Sequence, residues 1–242
     1  MGIQVAYQTE GDSRFRVHLL ANWAHSIVHN PTLVSAVKTV LDSPNILCWS
    51  SDICAKPANS DGLFKWHQDS TYSGLSPPNK VVTAWVALTP ANSANGCMEM
   101  LPASHHSQLD HSESVTSYNL LAHGQYIPEN QLDHMLSTKV CVELQPGEAS
   151  LHSWQCVHRS GVNTTLQERV GLAVRYMTDE VENTKGFARE KATLVCGTGG
   201  YAWDLESNPC KDYGKKEIEH HKESMEREKA NYFGEKETRE YK

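Results

Sequence analysis

The sequence predicts a mainly β domain preceded by two helices. Two observations lead there. Apolar residues recur with a helical period up to about residue 42 and with a period of two from residue 45 onward. Runs rich in β-branched and apolar residues, such as Lys80 to Leu88, then alternate with Gly-, Pro- and Asn-rich turns. A length of 242 residues suits a single domain with a sizeable core. The predicted division is flanking helices over 14–42, a strand-rich core over 45–178 and a charged C-terminal extension over 205–242.

Residues 1 to 13 carry no periodic signal. Phe15 to His29 reads as a helix, with Val17, Leu20, Trp23, Ile27 and Val28 on one face. Asn30 is placed to cap a second helix that starts at Pro31. Leu33, Val34, Val37, Val40 and Leu41 give that helix an apolar stripe, and Ser43-Pro44 stops it. Asn45 to Lys56 reads as a strand, and Pro57 to Gly62 is turn chemistry before the strand of His67. Tyr72 to Asn79 reads as a loop and Lys80 to Leu88 as a core strand. The Asn95-Gly96 pair predicts a hairpin, with Cys97 to Leu101 as the returning strand. Residues 103 to 137 are polar and hold histidines 105, 106, 111, 123 and 134. They suit either a solvated insertion or a lid over a site. Lys139 to Leu144, Glu148 to His158 and Arg169 to Thr178 complete the strands. Beyond residue 211, Lys, Glu and His dominate, which predicts a solvated helix or a disordered tail.

Lys plus Arg total 22 against 29 Asp plus Glu, a net charge of −7. That balance argues against a nucleic acid or an anionic membrane as partner. The seven cysteines form no Cys-x-x-Cys pair, which suggests reduced thiols inside a cell. No apolar run reaches membrane-spanning length, and no signal peptide precedes Arg14. Glu240-Tyr241-Lys242 is not a peroxisomal tripeptide of the Ser-Lys-Leu kind. The expectation is a cytoplasmic protein.

The chemistry centres on Trp66-His67-Gln68-Asp69. In an extended chain His67 and Asp69 share a face. An imidazole and a carboxylate on one face are two members of the 2-His-1-carboxylate triad that binds Fe(II). His158, in Val157-His158-Arg159-Ser160-Gly161-Val162-Asn163, is the best candidate for the third ligand. Eleven residues later comes Arg169, placed to hold an acidic co-substrate. Ser160 shares a strand face with His158 and could add a hydrogen bond there. By the same parity His152 and Trp154 could reach the interior. Lys56, Tyr72 and Lys80 are weaker candidates for substrate or cofactor contact.

On these residues the chain resembles the phytanoyl-CoA dioxygenase family of Fe(II)/2-oxoglutarate oxygenases. The resemblance runs from Trp66–Tyr72 through Val82–Leu88 and Asn95–His105 to His158–Asn163 and Arg169. It covers roughly residues 45 to 178. It implies a double-stranded β-helix, the jelly-roll barrel also used by cupins. It implies Fe(II) on His67, Asp69 and His158, and 2-oxoglutarate anchored by Arg169. It implies a cofactor pocket lined by Trp85 and touched by Gln68. The implied reaction couples oxidative decarboxylation of 2-oxoglutarate, giving succinate and CO2, to oxidation of a small molecule by dioxygen. Halogenating relatives lack the carboxylate ligand, so Asp69 favours hydroxylation. Family members carry more chain before the first helix.

Three rivals use similar residues. A cupin-like isomerase or binding module would show a His-x-His pair and a nearby glutamate, both absent here. A nucleobase demethylase shares the triad and arginine, and the acidic balance opposes it. A binding protein without catalysis would not need the whole ligand set. The polar 103–137 stretch favours a small polar metabolite over a long acyl-CoA.

Overall fold

The computed structural model describes residues 11–233 apart from 115, 122 and 123. The expectations for residues 1–10, for His123 and for 234–242 lie outside the described residues.

Two mainly antiparallel sheets face each other as a jelly-roll barrel. In chain order the helices are α1 (Asn22–Val28), α2 (Pro31–Leu41), α3 (Ser70–Ser73) and α4 (Lys215–Phe233). The first seven strands are β1 (Ile46–Lys56), β2 (Phe64–His67), β3 (Leu75–Ser76), β4 (Val81–Ala87), β5 (Met98–Met100), β6 (Ser112–Glu113) and β7 (Gln125–Tyr126). The rest are β8 (Val140–Val142), β9 (Ala149–Ser153), β10 (His158–Ser160), β11 (Arg169–Thr178), β12 (Glu182–Asn183), β13 (Lys191–Cys196) and β14 (Asp204–Leu205). The large sheet runs β14-β13-β1-β11-β4-β9 and the small one β2-β10-β5-β8.

Strand alternation decides which side chains enter the barrel. On β11, Val170, Leu172, Val174 and Tyr176 face out and join the cluster beneath α1 and α2. Arg169, Ala173 and Arg175 take the other face and line the interior. On β4, Val82, Ala84 and Val86 face out, while Thr83 and Trp85 face in. Gly171 also faces in. A Cβ there would meet the Trp85 ring at 2.0 Å, so glycine is what lets the indole lie across β11.

α2 forms as its sequence predicts. Asn30 accepts from the backbone N–H groups of Thr32 and Leu33, and Pro31 opens the first turn. The predicted helix over Phe15–His29 is shorter than expected, since only Asn22–Val28 is α-helical. Arg16 sits in the left-handed region at φ 46, which an α-helix cannot absorb. The buried side chains of Arg16 and His18 take up distant partners instead.

The predicted hairpin at Asn95-Gly96 does not form. β4 pairs with β11 and β9, whereas β5 pairs with β10 and β8. Asn95-Gly96 closes a capped helical turn with Gly96 at φ 75, and the chain then crosses between sheets. Glu148–His158 is likewise two strands, because the chain leaves the large sheet after Ser153 and enters the small one at His158.

The 103–137 stretch covers the outer face of the small sheet. Ile127 and Leu132 pack with Trp66, Leu101 and Val157, and Ile127 N–H donates to the Trp66 carbonyl at 2.7 Å. α4 is packed too, and its inner stripe is polar. His221, Ser224, Met225, Glu228 and Asn231 are buried. Glu228 binds Arg16 at 2.6 Å, and Asn231 binds Glu190 at 2.7 Å. No helix among the described residues is long and apolar enough to cross a membrane.

Candidate active site

β2 and β10 pair so that His67 lies opposite His158, with ring centroids 4.1 Å apart. Asp69 comes from beyond the end of β2. Its backbone is helical, at φ −60 and ψ −27, as the residue preceding α3. The shared face expected of an extended His67-Gln68-Asp69 is therefore reached by a turn. Asp69 Oδ1 stands 3.6 Å from His67 Nε2 and 3.9 Å from His158 Nε2. Among the described residues these three form a cluster able to hold a metal ion, their ligand atoms all within 4.8 Å of one another.

Both imidazoles are oriented by main-chain carbonyls. The Nδ1 of His67 lies 2.7 Å from the Lys65 carbonyl, and that of His158 lies 3.0 Å from the Cys156 carbonyl. Each Nδ1 then donates its proton, which leaves the Nε2 lone pair free for a cation. Burial, together with the neighbouring His67, pushes His158 down to about 3, so it stays neutral. Burial works against the charged form of Asp69. The neighbouring His67 and the Arg175 guanidinium outweigh it and hold the carboxyl well below the usual range. Thr83 donates to Asp69 Oδ2 at 3.2 Å, and Arg175 Nε lies 3.9 Å from the same oxygen. The second oxygen is thus held from behind and the first is free to ligate. Neutral nitrogens and an ionised oxygen on one face fit Fe(II).

Arg169 lies in the same cavity, only 1% exposed. Among the described residues it has no carboxylate partner. Its Nε makes no hydrogen bond, and its NH2 reaches only Ser160 Oγ, at 3.4 Å. The guanidinium stacks over Trp85 at 5.1 Å. A buried cation without an anion is costly. A dicarboxylate whose far end lies on Arg169 fits this arrangement. Ser160 Oγ donates to the Gly96 carbonyl at 2.7 Å, so its role is to aim Arg169 rather than to give the ligand a proton. Lys56 pairs with Arg169 across β1 and β11, and its ammonium donates to the carbonyls of Ser160 and Gly161. Burial, and then the charge of Arg169, push it down to about 7.

Gln68 does not line the cavity shared by His67 and Arg169. Its amide donates to the carbonyls of Ser107 and Gln155 and accepts from Leu109 N–H, pinning the stretch after β5 to the metal strand. Lys80 pairs with Glu180 at 3.5 Å on the surface. The Tyr72 side chain lies outside the described residues. His152 does reach the interior, its ring 5.1 Å from that of His158. Arg175 and Thr83 were not singled out from the sequence. The signal existed: Arg175 is six residues from Arg169 and Thr83 two from Trp85, hence on the same strand faces.

A family model described as phytanoyl-CoA dioxygenase (PhyH) matches residues 2–171. A probable phytanoyl-CoA dioxygenase of Caenorhabditis elegans is 26% identical over 172 residues, spanning 66% of this chain and 53% of the relative. An ectoine dioxygenase of Streptomyces coelicolor is 25% identical over 183 residues, 71% of this chain and 60% of that one. The chain thus spans about half the length of the phytanoyl-CoA dioxygenase relative. Among solved structures, the non-heme monooxygenase ThoJ superposes with a TM-score of 0.80 at 32% identity, covering 90% of this chain and 78% of that one. The epimerase SnoN, solved with Fe3+ and alpha-ketoglutarate, shares the fold with a TM-score of 0.58 at 20% identity over 70% of this chain and 64% of that one. With the ligand cluster and the jelly roll in place, the match across most of the chain means that it belongs to the phytanoyl-CoA dioxygenase family.

Proposed function

We propose that this protein is an Fe(II)/2-oxoglutarate-dependent dioxygenase that hydroxylates a small molecule. The balanced reaction is R–H + 2-oxoglutarate + O2 → R–OH + succinate + CO2. The observation that carries this reading is the Arg169 guanidinium, which meets no carboxylate among the described residues, in the cavity that also holds His67, Asp69 and His158.

The residues divide the work. His67 Nε2, His158 Nε2 and Asp69 Oδ1 would hold Fe(II). Thr83 and Arg175 keep Asp69 to one ligating oxygen. Arg169 would grip the far carboxylate of 2-oxoglutarate by two parallel bonds, which a lysine cannot copy. Ser160 and Trp85 fix the plane of that guanidinium. Bound iron and 2-oxoglutarate supply the activation of dioxygen. Leu120, Leu121 and Gln125 of the 103–137 stretch border the adjoining cavity, which supports reading that stretch as a lid that selects substrate. The seven unpaired cysteines fit a reducing compartment, and a cytoplasmic setting is the reading we adopt.

The test is succinate formation from 2-oxoglutarate by purified protein, dependent on Fe(II) and dioxygen. A cupin-like isomerase or a binding protein would form none. His158→Ala should lower turnover below detection, because two ligands hold iron weakly. Full turnover in that variant would sink the assignment.

A further inference from the structure

Beside the metal pocket lies a second cavity of about 150 Å3. Phe64, Asp69 and Arg175 line both spaces, whereas Arg169 lines only the metal pocket. A molecule seated in the second cavity therefore lies against a metal ligand without competing for the Arg169 site.

Besides Asp69, four charged side chains border this cavity, and three are matched within the protein. Asp52 and Arg175 pair with each other, and Glu228 pairs with Arg16. The fourth, Arg14, feels the charges of Asp52 and Asp12 but makes no ion pair among the described residues, and its guanidinium lies 4.7 Å from the centre of the Phe15 ring. Two further wall residues carry unmatched polar atoms. Among the described residues the indole N–H of Trp154 has no acceptor and the amide oxygen of Gln125 has no donor. These side chains are only 2% and 5% exposed. Buried polar atoms without partners are rare and costly, so both point to a ligand. The remaining wall is largely apolar, with Phe15, Trp49, Phe64 and Tyr232 beside Ile53, Leu120 and Leu121.

The chemistry of the occupant follows. Arg14 calls for an anion, and a guanidinium fits a carboxylate through two parallel bonds. Trp154 calls for an acceptor and Gln125 for a donor. Aromatic walls call for an apolar or ring-shaped body. A volume of about 150 Å3 suits a benzene-sized body.

We infer that this cavity binds the molecule to be oxidised, and that this substrate is a small carboxylic acid with a compact apolar or ring body, its carboxylate on Arg14. The inference rests on the oxygenase reading above.

The probes are phenylacetate and its neutral isostere phenylacetamide. Each is titrated anaerobically into protein loaded with Fe(II) and saturating 2-oxoglutarate, and tryptophan emission, to which Trp49 and Trp154 of the cavity wall contribute, is followed. The acid should bind saturably and about tenfold or more tightly than the amide, the worth of one charged hydrogen bond. Arg14→Gln should remove that preference, and Arg14→Lys should restore part of it. Equal binding of acid and amide, binding of neither, or an undiminished preference in Arg14→Gln would each overturn the inference. The visible charge-transfer band of the wild-type Fe(II)–2-oxoglutarate complex is read in the same samples. If that band never forms, the oxygenase reading falls. If it forms and the acid preference does not, only the substrate class falls.

Discussion

Two buried arginines, Arg16 and Arg169, differ in what the chain offers them. Arg16 is fully buried and meets three carboxylates, Glu190 at 3.5 Å, Glu206 at 3.1 Å and Glu228 at 2.6 Å. Arg169 is almost as buried and meets none among the described residues. The first cation is completed by the fold and ties the N-terminal segment to the barrel and to α4. The second is held in place by Ser160 and Trp85 and meets no anion among the described residues. Burial alone does not separate structure from function here; the identity of the missing partner does.

The comparison can be broken most sharply at Arg16. Arg16→Ala leaves three carboxylates buried together, and a loss of about 3–5 kcal/mol in unfolding free energy is expected. Urea denaturation measures it; a loss no larger than that of a surface substitution would contradict the structural role. Arg169→Met should behave in the opposite way. It removes an uncompensated buried charge, so the ligand-free protein should melt no lower than wild type. Its 2-oxoglutarate affinity should fall by at least about 1–3 kcal/mol, the worth of a charged hydrogen bond. A destabilised variant that still binds 2-oxoglutarate would reverse the two roles.

Gly171→Ala tests the same site from the backbone. The added carbon collides with Trp85, and overpacking of this kind costs about 1–3 kcal/mol. Because Trp85 stacks on Arg169, calorimetric titration should show weaker 2-oxoglutarate binding as well. Unchanged binding would mean that Trp85 does not set the guanidinium plane.

The smallest effect concerns Glu190. Burial raises its carboxyl to about 7 despite Arg16. The folded state therefore holds this proton more tightly than the unfolded chain, where a glutamate titrates near ~4.3. The contribution of Glu190 to stability is present below the unfolded value and is lost as pH rises towards about 7. Glu190→Gln should flatten that fall, so its melting temperature should gain on wild type as pH rises through this window. Parallel melting curves for the two proteins would count against it.

The legible parts of the fold were those with an apolar period. α2 was readable because Leu33, Val37 and Leu41 mark its inner face and Asn30-Pro31 its start. β4 and β11 were readable because alternation sorts Val82, Ala84 and Val86 from Thr83 and Trp85. α4 was not, because its inner face is His221, Ser224, Glu228 and Asn231, which looks like a solvated surface in sequence. Its polar partners come from elsewhere in the chain, Phe15 and Arg16 some 200 residues away and Glu190 41 residues away. Asn95-Gly96 misled because a left-handed glycine ends a helical turn as readily as it closes a hairpin. At the site, the ligand trio was legible from residue type and order. The parity argument for Asp69 assumed a strand that in fact ends at His67.

The cavity next to the metal has a consequence for how such proteins diversify. Its chemistry-facing side belongs to the barrel, but Arg14 and Phe15 come from ahead of α1, and Glu228 and Tyr232 from α4. The stretch matched by the family model ends at residue 171, so α4 lies beyond it. Part of the wall of the inferred substrate cavity thus lies outside the barrel that carries His67, Asp69 and His158. Substitutions in the terminal segments can change which molecule is accepted while the oxidising centre stays intact. Exchanging those segments between relatives is therefore a route to new substrates that leaves the barrel's own sequence untouched.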